Sequence, residues 1–188
     1  ATSGTRIVVR VFGGFDFADA RPGAKDWVRV GYKHGVPMGG DLKRAAKGAA
    51  PQLMIAASKD PNSGNLDRIQ VIKGWVDATG KSHDRIYDVV WSGNRKIGAD
   101  GKLPAVGNSV DIKNASYTNT IGSPELSTVW KDPDFDPAVP AFYYVRVLEI
   151  PTPRWATYDA KALGIDPPKD FPATIQERAW SSPIWYTP

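Results

Sequence analysis

Phe142-Tyr-Tyr-Val-Arg-Val-Leu-Glu-Ile150 and Ala179-Trp-Ser-Ser-Pro-Ile-Trp185 are the two stretches whose reading decides the fold of this chain. Both are rich in the aromatic and β-branched residues that suit a pleated, half-buried surface, and both read as strands. The second is interrupted by Pro183, which cannot donate to a ladder. Pro188 follows only three residues after Trp185. Together they look like the last two strands of a β-sandwich that closes a longer protein.

The strand signal continues outward from them. Arg6 to Gly13 alternates, with Ile7, Val9 and Val11 on one face and Arg6, Val8, Arg10 and Phe12 on the other. Further strands are expected at Trp27–Tyr32, Gln52–Ser58, Asp67–Val76, Asp84–Trp91 and Ser127–Trp130. Asp67–Val76 and Asp84–Trp91 are joined by Asp77-Ala-Thr-Gly-Lys-Ser-His83, a polar, glycine-containing loop that predicts a long hairpin. Clusters of Gly, Pro, Asn and Asp separate the strands, without long helices between them. The expectation is a mainly β chain folded as a two-layer antiparallel β-sandwich, immunoglobulin-like or related, rather than a βαβ fold. Two short helical turns are predicted: one capped by Asp41 and ending near Gly48, the other from Tyr158 to Leu163, stopped by Gly164. The stretch Ile150–Pro172, with its five prolines, reads as an ordered crossing loop. With no internal repeat and no low-complexity linker, residues 1–188 are expected to form a single domain.

Composition bounds the partners. The chain has 188 residues, enough to bury roughly 70% of its unfolded surface. Its 18 glycines and 16 prolines exceed the usual share of roughly 12%, as many turns and ordered loops require. The net charge of +4 is mild and its cations are scattered; Lys43, Arg44 and Lys47 are too small a group for a nucleic-acid footprint. The absence of cysteine excludes disulfides, thiolate metal sites and a Cys nucleophile. No apolar run approaches the roughly 18 residues needed to cross a bilayer, and a soluble chain without a membrane partner is expected. Ala1 stands where a Met would open a nascent chain and no signal peptide is visible, so a processed or excised end is expected.

Few residues carry chemistry. The histidines are His34 and His83. His83 is expected as a solvated loop residue. His34 lies in Gly31-Tyr-Lys-His-Gly-Val-Pro-Met-Gly-Gly-Asp41, where glycines and a proline allow unusual backbone angles or close approach to another surface. That loop reads either as a plain connection capped by Asp41 or as one that reaches a neighbouring active site. Asp132-Pro-Asp-Phe-Asp136 resembles a Ca²⁺ loop in spacing only: Pro137 stands where Gly is needed, so turns built on Asp side chains are expected. Asp100-Gly101 is a turn signal. Trp27, Trp75, Trp91, Trp155 and Trp180 are candidates for stacking on sugar rings, although tryptophans equally build sandwich cores. There is no Gly-rich phosphate loop, nucleophile elbow or paired-histidine metal motif. No metal ligand set and no cofactor site is read in this chain.

Longer strings carry a resemblance. Ala1-Thr-Ser-Gly-Thr-Arg-Ile7, Phe12-Gly-Gly-Phe-Asp16, Gly35-Val-Pro-Met-Gly-Gly-Asp-Leu42, Lys59-Asp-Pro61, Asn65-Leu-Asp-Arg-Ile69 and Lys73-Gly-Trp75 are similar to the C-terminal part of a bacterial family called domain of unknown function 3604. So are Tyr117-Thr-Asn-Thr-Ile-Gly122, Trp130-Lys-Asp-Pro-Asp-Phe-Asp136, Ile150-Pro-Thr-Pro-Arg-Trp155 and Pro172-Ala-Thr-Ile-Gln-Glu-Arg-Ala-Trp-Ser-Ser-Pro-Ile-Trp-Tyr186. The resemblance spans essentially the whole chain, with Lys43–Ala50 longer than the pattern implies. It implies an upstream barrel like that of the polymerase-and-histidinol-phosphatase (PHP) hydrolases, holding divalent metal through His, Asp and Glu. Those ligands are absent here. The chain would then be an accessory C-terminal sandwich, with the barrel as its partner and a periplasmic or extracellular location. Under that reading Arg6, His34 and Asp41 are the candidates to reach a substrate: Arg6 as a cation for a phosphate-like group, His34 to orient an anion, and Asp41 to order a water. The alternative is a self-standing carbohydrate- or ligand-binding sandwich.

Overall fold

In the computed structural model, which describes residues 1–17 and 20–188, two sheets face each other across one main core. The first sheet has the order β2 (Gly35–Pro37), β1 (Val8–Gly14), β4 (Gln52–Ser58), β7 (Glu125–Lys131), all antiparallel. The second has the order β3 (Asp41–Leu42), β12 (Ile184–Tyr186), β8 (Ala141–Glu149), β5 (Leu66–Val76), β6 (Ser82–Trp91), with β11 (Arg178–Trp180) also paired to β8. Val11, Leu53 and Ile55 from the first sheet meet Ile69, Val71, Val145 and Val147 from the second. The chain is a mainly β, antiparallel sandwich, as the sequence predicts.

Strand β8 explains why its sequence is so informative. Ala141, Tyr143, Val145 and Val147 point into the core, while Phe142, Tyr144, Arg146 and Leu148 lie half-buried on the outer face. Strands β11 and β12 run along one edge of β8, with Trp180 opposite Arg146 and Ile184 opposite Tyr143. Ser181, Ser182 and Pro183 therefore face only Val145 and Tyr144. This is a bulge, the setting in which a strand tolerates proline. Ser181 closes the gap: its N–H donates to Val145 O at 3.0 Å and its Oγ accepts from Val145 N–H at 2.9 Å.

The strands β4 to β8 and the β5–β6 hairpin fall where the sequence places them, within two residues. Two expectations fail. Trp27–Tyr32 is not a strand but part of α1 (Trp27–His34). Its alternation is too short to distinguish a strand from a helix face. Trp27 and Val28 pack with Phe12, and Gly31 meets the Phe12 ring so closely that a Cβ there would overlap it. The turn expected from Asp41 to Gly48 is also absent. Asp41 and Leu42 instead form β3, parallel to β12, which sends Leu42 into the core. One short helical turn closes few hydrogen bonds, and a sheet edge with a buried leucine outweighs it.

The second helix, α2 (Trp155–Leu163), starts three residues before the expected turn. Gly164 ends it in the left-handed region at φ 68°, as anticipated. The proline-rich stretch is ordered by a two-stranded ribbon, β9 (Thr152–Pro153) against β10 (Thr174–Ile175). No helix among the described residues is long and apolar enough to cross a membrane.

Candidate functional site

Gly74 sits in mid-strand on β5, directly opposite Phe142 of β8. A Cβ at Gly74 would overlap the Phe142 ring, so glycine here lets the phenyl group lean across β5. From the other side of β8, Trp185 tilts onto the same ring, with centroids 5.2 Å apart and planes at 51°. Tyr144 lies nearly parallel to Phe142 at 6.4 Å and 14°. The result is an aromatic shelf on the outer face of the second sheet. Trp185 is 46% exposed and Ile86 is 50% exposed on the same sheet. A groove of about 510 Å³ adjoins the shelf, lined among others by Trp75, His83, Asp84 and Thr187.

Trp75 and Ala141 also line a second groove of about 390 Å³, together with Lys73, Asp134 and Phe135. There the buried Lys73 Nζ donates to Asp132 Oδ2 at 2.6 Å and to Asp134 O at 2.8 Å, 5.5 Å from the Trp75 ring centre. Tyr143 Oη donates to the same carboxylate oxygen at 2.6 Å. Burial, then the hydrogen bond to Asp132, pushes the Tyr143 phenol far above its ordinary value. Asp134 accepts from Arg85 Nη1 and Tyr87 Oη, each at 2.8 Å. Asp132 and Asp136 also accept from backbone N–H groups two residues on, at 2.9 Å, forming the turns expected of this segment.

His83 departs from its expected place. It lies on β6 opposite Trp75, not in a solvated loop, and its ring stacks on the indole at 5.3 Å and 16°. Its Nε2 is 2.6 Å from Asp77 Oδ2. Hydrogen bonds from the Thr79 hydroxyl, then His83 and the Lys81 N–H, hold the Asp77 carboxyl well below the usual range. Asp132, Asp134, Lys73, Asp77 and His83 are thus all engaged with groups of this chain. The site offers ring faces with a polar rim.

The three residues expected to reach a substrate are not brought together. Arg6 lies just before β1, where its N–H and Nε go to Asp60 Oδ2 at 2.8 and 3.3 Å. The Asn62 N–H, then Arg6, lowers the Asp60 carboxyl to about 2. His34 is exposed at the end of α1, and its carbonyl would meet a Cβ at Gly14. By strand rise that is roughly 26 Å from Arg6. Asp41 is exposed beside Trp185, its partner across the β3–β12 pairing. The Gly35–Asp41 stretch carries the chain from the first sheet to the second. Gly39, at φ 90°, donates to Pro183 O at 2.8 Å, and Gly40 O accepts from Trp185 N–H at 3.1 Å.

Among the tryptophans singled out, Trp75 lines both grooves. Trp27 packs edge-on against Phe12 at 5.7 Å. Trp91 Nε1 donates to Arg95 O at 2.7 Å. Trp155 is 69% exposed at the start of α2. Trp180 donates its N–H to Ala1 O at 2.8 Å on β11. Sequence reasoning missed Gly74, Phe142 and Trp185 as site residues. A glycine in mid-strand was the available signal for the first two, and alternation around buried Ile184 and Tyr186 was the signal for Trp185.

No curated protein and no solved structure matches this chain. The family model described as protein of unknown function (DUF3604) matches residues 1–188. The chain belongs to the DUF3604 family.

Proposed function

We propose that this sandwich is the C-terminal accessory domain of a larger, PHP-like metal-dependent hydrolase, packing on the catalytic barrel rather than catalysing by itself. The observation that carries the reading is the outer face of the second sheet. Trp185, Phe142, Tyr144 and Ile86 leave a contiguous apolar surface there, and such patches mark surfaces that meet another protein. The interior polar groups beside it are already satisfied. The N-terminus is tied to the edge of this sheet at β11: Thr2 bridges to Ala179, and Ala1 is bound to both the N–H and the carbonyl of Trp180. The crossover loop ending at Asp41 borders the same edge and would be the part nearest the barrel mouth. Divalent metal would be held by the barrel.

Trp185→Asp tests this. The isolated 188-residue domain should self-associate or bind a hydrophobic dye, and the substitution should abolish both. In the full-length protein it should speed proteolytic release of the sandwich and lower kcat/KM by roughly tenfold. No change in either protein would sink the reading.

The groove beside Trp75 favours a second reading, a carbohydrate-binding module, because ring faces of Trp75, Phe142 and Trp185 stand beside His83 and Asp84. Saturable tryptophan fluorescence changes with an oligosaccharide panel, shown by this domain alone and lost in Trp185→Ala, would favour it over docking.

A further inference from the structure

We propose a second, separate binding site: an anion subsite formed by Arg154 and Arg178, suited to a phosphate or carboxylate group. Five arginines are half-buried among the described residues: Arg68, Arg95, Arg146, Arg154 and Arg178. Arg68 and Arg95 both pair with the buried carboxylate of Asp67, at 3.0 and 2.6 Å. Arg146 Nε donates to Gln70 Oε1 at 2.8 Å, and the Gln70 amide in turn donates to Asp88 at 2.8 Å. Arg154 and Arg178 have no acidic partner among the described residues, yet both line one pocket of about 280 Å³ with Pro151, Thr174, Ile175 and Gln176. The neighbouring carboxylates make their contacts with other groups, not with these two arginines. Glu177 takes the Ser3 hydroxyl, Glu149 takes the Ser63 hydroxyl, and Asp67 is shared by two arginines and Gln176. Withdrawing two cations partly from water without a counter-charge from the chain is costly, so the pair suits an anionic group supplied by a ligand.

The two guanidinium groups are also held ready. Arg154 Nε donates to Pro172 O at 2.9 Å, and its head lies 5.4 Å from the Phe171 ring centre. Arg178 Nε donates to Gln176 O at 3.3 Å. Each plane is thereby held through Nε, and the Nη atoms, without hydrogen-bond partners among the described residues, suit the forked contacts that arginine makes with oxyanions. The backbones beneath them are rigid. Arg154 N–H donates to Ala173 O at 2.9 Å across the β9–β10 ribbon, and Arg178 is paired to β8 on one side and to Ser3 on the other. This arrangement is independent of the aromatic shelf.

The test is calorimetric titration of the 188-residue protein at low salt with inorganic phosphate and, separately, with acetate. Saturable one-to-one binding of either ion is expected, and which one binds identifies the group recognised. Arg154→Gln and Arg178→Gln should each weaken it by roughly tenfold or more, and Arg154→Lys should also weaken it because the fork is lost. Arg21→Gln, an exposed control, should leave it unchanged. In the wild-type protein the Arg154 and Arg178 side-chain N–H resonances should shift on adding the ion, a readout that survives if a variant fails to fold. Absence of saturable binding, equal losses in the Arg21 control, or unmoved arginine resonances would overturn the site.

Discussion

A glycine in the middle of a strand weakens it by roughly 1 kcal/mol relative to alanine, so Gly74 demands a reason. The reason is the Phe142 ring that occupies the space of its absent Cβ. Gly74→Ala should therefore destabilise the protein by about 1–3 kcal/mol in urea unfolding, because an overpacked ring must leave its rotamer. In a Phe142→Ala background the same substitution should cost little or even stabilise. Equal cost in both backgrounds would show that the ring is not what selects glycine. The pair was visible in the sequence as residues, but not as a contact, because its partners are 68 positions apart and their register is set by the sheet.

At the scale of elements, Lys73 links three of them. It sits on β5 and binds the loop after β7, and the carboxylate it meets also takes Tyr143 from β8. Removing one charge leaves the other buried and uncompensated, which costs far more than removing both. Lys73→Met should destabilise by about 3–5 kcal/mol, and Lys73→Met/Asp132→Leu should recover a large part of the loss. A loss below about 1 kcal/mol in the single variant would mean that the pair does not hold these elements together. The sequence read the Asp132–Asp136 turns correctly. It could not pair Asp132 with a lysine, since charge pairing depends on which strands become neighbours. The same limit explains α1 and β3. Local pattern favoured a strand at Trp27–Tyr32 and a capped turn at Asp41, and docking on Phe12 and on the edge of β12 reversed both.

Over the whole molecule, stability should respond to acid in two opposing ways. Asp60 titrates at about 2 in the fold against an ordinary value of 3.8, so its contribution is present above 3.8 and is lost as pH falls toward 2. Asp60→Asn should lower the midpoint of thermal unfolding at pH 7, with the gap closing between pH 4 and 2. Glu149 behaves oppositely. It is fully buried, its Oε1 meets no hydrogen-bond partner among the described residues, and burial raises it above its ordinary 4.5. Its favourable protonated form is present below 4.5 and is lost as pH rises through the folded value. Glu149→Gln, which cannot ionise, should melt higher than wild type at pH 7 and converge with it near pH 4. Parallel melting profiles for either variant would contradict the assigned titration.

What the sequence determined by itself is the strand-rich architecture, the β5–β6 hairpin, the stop at Gly164 and the family, because these rest on local periodicity, turn chemistry and long strings of residues. What only the tertiary structure decided is which residues share a surface. Trp185 and Phe142 meet across a strand pairing, Arg154 and Arg178 line one pocket, and Arg6 and His34 part to opposite ends of β1. Those outcomes depend on sheet order and register, and both are set by burying a common core rather than by any single segment of the chain.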